Sequence, residues 1–391
     1  MKKLNIAIVC DPITDYVAGS FVSTLRFAEL LRKRGHKIIF IAAKSPNGNK
    51  EDYYQDIRVY RFFSILLPKT ENQLYMSLPT INKLKKIFKE EKIDIVHVII
   101  PTPSAVISVM AAKKLGLKIV VHSHTQPENI FLHLPKINFI AHLNGAFYKY
   151  LEWIYKRADI IIYPTEFAKK FFTKINEKAR TEIISNGVDT KKFTKVNPES
   201  LFKKYGLPKG KKNILCVGRL HPEKSIDTLI KAMPIILKKY SDAYLYIVGF
   251  GHLEDKLKKL ATNLNLNDYI TFFGKASDED LILTYNACDI FVLPSLAELE
   301  GMVVLEAMSC GKPIVVANAE GSASTFFVDG NGFLFEPEKE EDLAEKILKL
   351  LQDENLRKKM GEASFKKSRQ YDIKESISKL EQVYYSILET I

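Results

Sequence analysis

Two glutamates eight residues apart, Glu298 and Glu306, flank Gly301 in the string Glu-Leu-Glu-Gly-Met-Val-Val-Leu-Glu-Ala-Met-Ser-Cys-Gly that ends at Gly311. Carboxylates only accept hydrogen bonds, so two beside one site suit neighbouring hydroxyl groups, such as those of a sugar and a ribose. Gly301 opens a helix with an apolar face of Val303, Val304, Leu305, Ala307 and Met308, and the bare N–H groups of Met302 and Val303 suit a phosphate. A plainer reading leaves Glu298 and Glu300 complementing the helix dipole and Glu306 on a solvated face. Upstream, Gly218-Arg219-Leu-His-Pro-Glu-Lys224 places a guanidinium fork and an ammonium behind a glycine, able to clamp a diphosphate from two sides. His124 ends the run Lys118-Ile-Val-Val-His-Ser123; it is either structural or functional, and His122 on the same strand face is its rival.

These residues need a scaffold of alternating strands and helices. Asp289 to Ser295 reads as a buried strand, Met302 onward as a helix, and Pro313 to Ala317 as the next strand. That order puts Glu298 and Gly301 at the carboxyl end of a parallel sheet, where open α/β sheets bind ligands. The same series starts at Asn213–Val217, passes through Ala243–Val248 into Gly249-Phe-Gly251, and continues through Ile270–Gly274 to Lys275. An earlier series begins with the strand Leu4–Val9, a loop holding Gly19, a helix from about Phe21 to Arg34 and a strand from Lys37. Gly19 lets backbone approach a phosphate. The expected division is 1–192, 193–372 and a terminal helix 373–391, with a polar linker over 191–198.

A chain of 391 residues is long enough for two α/β cores, and 46% hydrophobic with 27% charged residues suits a globular enzyme. The formal charge of +12 favours anionic partners, with lysines spread along helices rather than gathered as for nucleic acid. Cys10, Cys216, Cys288 and Cys310 lie far apart and read as reduced packing residues, with no zinc site. The apolar run before Asp11 is too short for a signal peptide and no stretch reads as a membrane span, so a cytoplasmic protein is expected, peripheral at the inner membrane face if its acceptor is a lipid. Asn82–Glu91 is a basic amphipathic helix, and the greasy segment Pro127–Arg157 could line an acceptor channel, lie on a membrane or cover the sheet. Asp278-Glu-Asp280 has the outline of a metal motif, but Ser277 before it makes a helix cap with acids in the first turn the stronger reading.

The string Glu-x7-Glu with its Gly-Met-Val-Val-Leu-Glu-Ala-Met-x-Cys-Gly-x-Pro resembles the donor-site signature of retaining glycosyltransferase family 4, which has the GT-B fold. Gly-Arg-Leu-x-x-x-Lys resembles that family's diphosphate loop, and Gly249-Phe-Gly251 its turn under the nucleotide. Ser185-Asn-Gly-Val-Asp189 is similar to its interdomain turn. The first loop, with the family's double glycine reduced to Ala18-Gly19, and His124-Thr-Gln-Pro-Glu-Asn129 are also similar, the latter to a subgroup some of whose members act on lipids. The resemblance implies two Rossmann-like domains with parallel sheets facing a central cleft, and a C-terminal helix crossing back to the first.

By the same resemblance, a hexose passes from a nucleotide diphosphate sugar, UDP-glucose before GDP-mannose, to an acceptor hydroxyl; the resemblance carries over no acceptor, and a membrane lipid such as diacylglycerol and a cell-envelope glycan both stay open. His124, Glu298, Arg219 and Lys224 are the catalytic set it implies. Gly19, Gly218, Gly249, Gly251, Lys275, Gly301, Met302, Val303 and Glu306 hold the donor. Neither a cofactor nor a metal is required. A GT-B phosphorylase or epimerase, and a non-catalytic nucleotide-sugar-binding scaffold, stay as alternatives.

Overall fold

The computed structural model describes residues 2–11, 19–44, 53–66, 75–124, 138–172 and 179–389. The chain forms two compact units, Met1–Ser185 with Lys374–Ile391, and Asn186–Ile373.

The first unit carries β1 (Asn5–Val9), β2 (Lys37–Ala43), β3 (Tyr53–Tyr54), β4 (Ile57–Phe62), β5 (Ser64–Leu66), β6 (Tyr75–Ser77), β7 (Ile95–Val98), β8 (Lys118–His122), β9 (Ile160–Tyr163) and β10 (Thr181–Ile183). Eight of them form one sheet in the order β10-β9-β8-β7-β1-β2-β4-β3, parallel except where the short β3 meets β4. Among the described residues β5 and β6 pair only with each other, antiparallel. Ile6, Ala7, Ile8 and Val9 are all buried, the unbroken apolar run expected of a strand covered on both faces. Ile6 lies opposite Ile38 on one side and Ile95 on the other, so the chain's direction across the sheet reverses between β1 and β7. Beyond that point the buried Asp11 gathers the loops: it accepts from Ser77 N–H (3.1 Å) and from the hydroxyls of Ser77 (2.9 Å), Thr102 (3.0 Å) and Ser104 (2.7 Å). Burial pushes its carboxyl up, against the pull of those donors.

Helix Asn138–Tyr155 settles one open reading at its carboxyl end, where Leu151, Ile154 and Tyr155 are buried and the Tyr155 hydroxyl donates to Ser123 at 2.9 Å. That part covers the sheet; 125–137, including the string after His124, lies outside the described residues. Among the described residues no helix is long and apolar enough to cross a membrane.

The terminal helix, Ile373–Glu389, packs on this first unit from Lys374 onward, as the family resemblance implies. It buries Ile377, Leu380, Tyr384 and Ile387, one face at helical spacing. His36 fixes its register. The Leu4 N–H donates to Nδ1 (3.1 Å), so the imidazole proton sits on Nε2 and points at Glu381, 2.8 Å away, which also pairs with Arg34.

The second unit holds β11 (Lys212–Val217), β12 (Ala243–Val248), β13 (Ile270–Gly274), β14 (Ile290–Leu293), β15 (Ala297–Glu298), β16 (Ile314–Ala317), β17 (Gly321–Ser322) and β18 (Gly332–Phe335). Its parallel sheet runs β13-β12-β11-β14-β16-β18, the doubly wound order whose direction reverses between β11 and β14. β15 and β17 make a separate parallel pair. The turn Ser185–Asp189, expected with the first domain, belongs here from Asn186 onward. The reason is contact: Val188 N–H donates to Tyr371 O (2.8 Å), Ile373 N–H to Val188 O (3.0 Å), and Thr190 bonds Asp372. Ser277 caps helix Asp278–Ala287, accepting from Asp280 N–H at 3.1 Å. Asp280 is occupied by Lys204 (2.7 Å) and Tyr205 (3.0 Å), which hold its carboxyl below the usual range.

Candidate active site

The second sheet's switch point places the loops after β11 and β14 side by side. The Glu223 carbonyl accepts from Leu296 N–H (2.8 Å) and the Ser295 hydroxyl (3.2 Å), tying one loop to the other. The pairing of Glu298 with Ser322 steadies the far end of the β14 loop. Between these two fixings the Lys224 ammonium meets Glu298 Oε1 at 2.5 Å, both side chains about 15% exposed. Ser225, next in the chain, has φ +45°, a left-handed backbone uncommon for a residue with a Cβ, and its hydroxyl lies 2.8 Å from that of Thr228. Strain of this kind collects at functional loops.

Arg219 reaches Glu223, whose carboxylate is buried, at 3.0 Å. Its guanidinium is therefore aimed by an acid of its own loop, a role that spacing alone did not give Glu223. Gly301 precedes helix Met302–Ser309 at φ +90°, and a Cβ there would stand 2.2 Å from Ser324 Oγ. Only glycine fits, and the helix starts with the N–H groups of Met302 and Val303 ahead of any intrahelical acceptor. Glu306 sits in the helix's second turn and accepts from the Tyr285 hydroxyl at 2.9 Å. Burial, then the Glu306 charge, pushes the Tyr285 phenol well up, so it remains the donor. Glu300 does not merely complement a dipole: its buried carboxylate accepts from Asn186 N–H (3.0 Å) and Nδ2 (2.6 Å), bracing the loop after β14 against the turn that begins at Asn186. A contact spanning 114 residues leaves no local signal in the sequence.

Gly218 and Gly249 form the floor beside these charges. Gly218 N–H donates to Val248 O (3.0 Å) and Leu220 N–H to Phe250 O (2.9 Å), while a Cβ on Gly251 would fall 2.6 Å from Leu220 O. Lys275 follows β13 with an exposed side chain, two strands from β11. So Gly218, Arg219, Lys224, Gly249, Gly251, Glu298 and Gly301 lie on adjoining loops, and Lys275 at the sheet's flank.

In the first unit, Gly19 is exposed and opens helix Gly19–Lys33 rather than lying in the loop, and a Cβ at this position would meet nothing within 4 Å. His124 leaves β8 half-buried and heads a column of imidazoles: its ring lies 4.1 Å from His122, and His122 lies 5.7 Å from His97 at an interplanar angle of 4°. The Tyr384 hydroxyl on the terminal helix holds His97 Nδ1 at 2.7 Å. The buried His122 has no hydrogen-bond partner for either ring nitrogen among the described residues. It stacks against His124 from deeper in the unit, buried where His124 is half-buried.

Desolvation, followed for the first two by neighbouring imidazoles, holds His97 at about 3, His122 well below 6.5 and His124 at about 4. All three are neutral when folded, whereas the unfolded chain protonates near pH 6.5. The unfolded state therefore binds more protons between about pH 6.5 and 4, and stability falls as pH drops through that window. The expected slope near pH 5 approaches about 1.4 kcal/mol per pH unit for each histidine. Urea midpoints of the first unit should decline from pH 7 to 5, with a shallower decline in His122→Phe; a flat profile would contradict the buried neutral column.

Comparisons with known proteins agree with this architecture. Residues 17–192 match the family model "Glycosyltransferase Family 4" and 197–367 match "Glycosyl transferases group 1", leaving four residues unmatched between them. N-acetyl-alpha-D-glucosaminyl L-malate synthase of Bacillus anthracis is 25% identical over 99% of this chain and 98% of its own. A GDP-mannose-dependent monoacylated alpha-(1-6)-phosphatidylinositol monomannoside mannosyltransferase of Corynebacterium glutamicum is 29% identical over 88% of each. Alpha-monoglucosyldiacylglycerol synthase of Streptococcus pneumoniae is 26% identical over 80% of this chain and 70% of its own. Among solved structures, Anabaena HepE in complex with UDP and glucose superposes with a TM-score of 0.76 over 98% of this chain and all of its own, at 20% identity, a likeness of fold. With both halves matched in order and a doubly wound sheet in each, the chain belongs to glycosyltransferase family 4, has the GT-B fold, and is a hexosyltransferase.

Proposed function

We propose that the chain transfers a hexose, UDP-glucose being the favoured donor, to the hydroxyl of a lipid acceptor such as diacylglycerol, with retention at the anomeric carbon. The acceptor oxygen bonds to the anomeric carbon on the face from which the diphosphate departs. The bond from that carbon to the diphosphate oxygen breaks, and the acceptor's proton passes to the departing diphosphate. Arg219, Lys224 and the N–H groups of Met302 and Val303 stabilise the charge that grows there. Glu298 takes sugar hydroxyls, Glu306 the ribose, His124 the sugar near the reacting carbon, and Gly19, Gly218, Gly249, Gly251 and Lys275 the rest of the donor. The cations at hand make a metal unnecessary, so chelation should leave the rate unchanged.

The observation that carries this reading is Lys224 against Glu298 at the switch point, a cation for phosphate beside an acceptor for hydroxyls. Relatives that act on a phosphatidylinositol mannoside and that make monoglucosyldiacylglycerol support the lipid acceptor. A thermal-shift panel of UDP-, GDP- and ADP-sugars tests the donor: UDP-glucose should raise the midpoint most. A shift with GDP-mannose alone would overturn the base, and no shift with any of them would overturn the site.

A further inference from the structure

We propose that Tyr285 is a positioning residue that, through Glu306, makes the donor site select nucleotides carrying ribose hydroxyls over those that lack them. The proposal rests on the reading of Glu306 as the acceptor for the ribose and adds what gives that contact its selectivity. Glu306 is 4% exposed and Tyr285 is fully buried, and the Tyr285 hydroxyl donates to Glu306 Oε2 at 2.9 Å. A carboxylate has about four lone-pair sites, so one phenol orients it and still leaves acceptor capacity for a ligand's hydroxyls.

The hydroxyl is held in place from several sides. The Phe193 ring stands nearly perpendicular to that of Tyr285 (centroids 5.9 Å apart, 79°), and the Phe291 ring of β14 lies 5.9 Å away at 46°. Helix Asp278–Ala287 carries Tyr285, helix Met302–Ser309 carries Glu306, and side chains at the end of the second tie the two together. Lys312 donates to the carbonyls of Asn286 (3.0 Å) and Cys288 (2.7 Å), just past Tyr285. Ser309 donates to the Phe193 carbonyl at 2.5 Å, which seats the ring that flanks the phenol. The plane of the Glu306 carboxylate is therefore set before a nucleotide arrives, on the helix whose first N–H groups are assigned to the phosphate. Its closed surroundings turn orientation into selectivity. A nucleotide without ribose hydroxyls would cover Glu306 and supply no donor, leaving a buried carboxylate short of bonds; sites built this way reject the missing hydroxyl most strongly. Without the Tyr285 hydroxyl the carboxylate can turn, and both its alignment with ribose and the penalty for a missing hydroxyl shrink.

Calorimetry on the full chain first ranks UDP, GDP and ADP; the tightest is then compared with its 2′,3′-dideoxy form and with inorganic pyrophosphate. The parent should prefer the ribonucleotide by about 30-fold or more, the scale of hydrogen bonds to a charged acceptor. Tyr285→Phe deletes one oxygen and keeps the ring between Phe193 and Phe291. In it that preference should shrink by about tenfold, while pyrophosphate binds as in the parent. An undiminished preference in the variant would overturn the positioning role and leave the ribose reading standing. An equal loss toward all three probes, pyrophosphate included, would make the hydroxyl merely structural and overturn the proposal as well. A parent indifferent to the ribose hydroxyls would remove the Glu306 reading and this proposal with it, and a parent that binds none of the nucleotides would remove the whole site.

Discussion

Lys224→Ala is expected to lower kcat/KM for transfer by about 10³-fold or more, the scale set by removing one preorganised donor from a developing anion. Two effects add. The variant loses a charge from the diphosphate, and it leaves Glu298 without the cation 2.5 Å from it, so the donor meets an uncompensated carboxylate. Glu298→Gln separates the two. It should transfer about as poorly, having lost the anionic acceptor for sugar hydroxyls, yet bind the free nucleoside diphosphate at least as tightly as the parent because Lys224 is released from its partner. Calorimetric titration of UDP into both variants, beside single-turnover rates, makes the comparison. Unchanged diphosphate binding in Lys224→Ala would show that Lys224 does not face the phosphate. Each variant breaks a part-buried pair and should lose about 1–3 kcal/mol of stability, so the titrations belong well below the melting midpoint.

What could be read in the sequence followed from local order. A strand, a loop and a helix in succession fix which end of a parallel sheet a loop residue occupies, and that was enough to place Arg219, Lys224, Glu298 and Gly301 beside a switch point. Periodicity likewise located the terminal helix, and Ser277 marked the start of helix Asp278–Ala287. What the sequence hid depends on contacts between distant segments. The Glu223 carbonyl that binds Ser295, 72 residues on, and the carboxylate of Glu300 on Asn186 are invisible to spacing, because a buried acid and a solvated one look alike in a string. His97, His122 and Tyr384 reach one another only through a parallel register and a helix that returns from the far end of the chain. The domain boundary shifted for the same reason: Asn186 and Val188 follow the bonds they make, not the polar composition that marks 191–198 as a linker. Gly19 shows the converse, a glycine whose surroundings leave room for a side chain.

Gly249→Ala should be the most damaging small substitution in the second unit, lowering its stability by about 3–5 kcal/mol. At φ +141° the backbone occupies a region closed to residues with a Cβ, and the added carbon would lie 1.8 Å from the Gly218 carbonyl oxygen. That neighbour is backbone, so no rotamer change can relieve the overlap. Gly218 is itself held by its N–H on Val248 O, and Gly249 N–H donates to Gly274 O at 2.9 Å, so neither loop can yield without breaking the ends of β11, β12 or β13. Gly274→Ala is the matched control: its φ of +65° carries the ordinary left-handed penalty, about 1 kcal/mol, and nothing lies within 4 Å of the new carbon. Urea unfolding of the two variants should therefore differ by several-fold in lost stability. If Gly249→Ala were no worse than Gly274→Ala, the close approach of the two loops that aims Arg219 would be absent in solution. Any surviving Gly249→Ala protein should bind nucleoside diphosphate weakly even where it is folded, because relieving the clash moves Gly218 and, with it, the guanidinium one residue on.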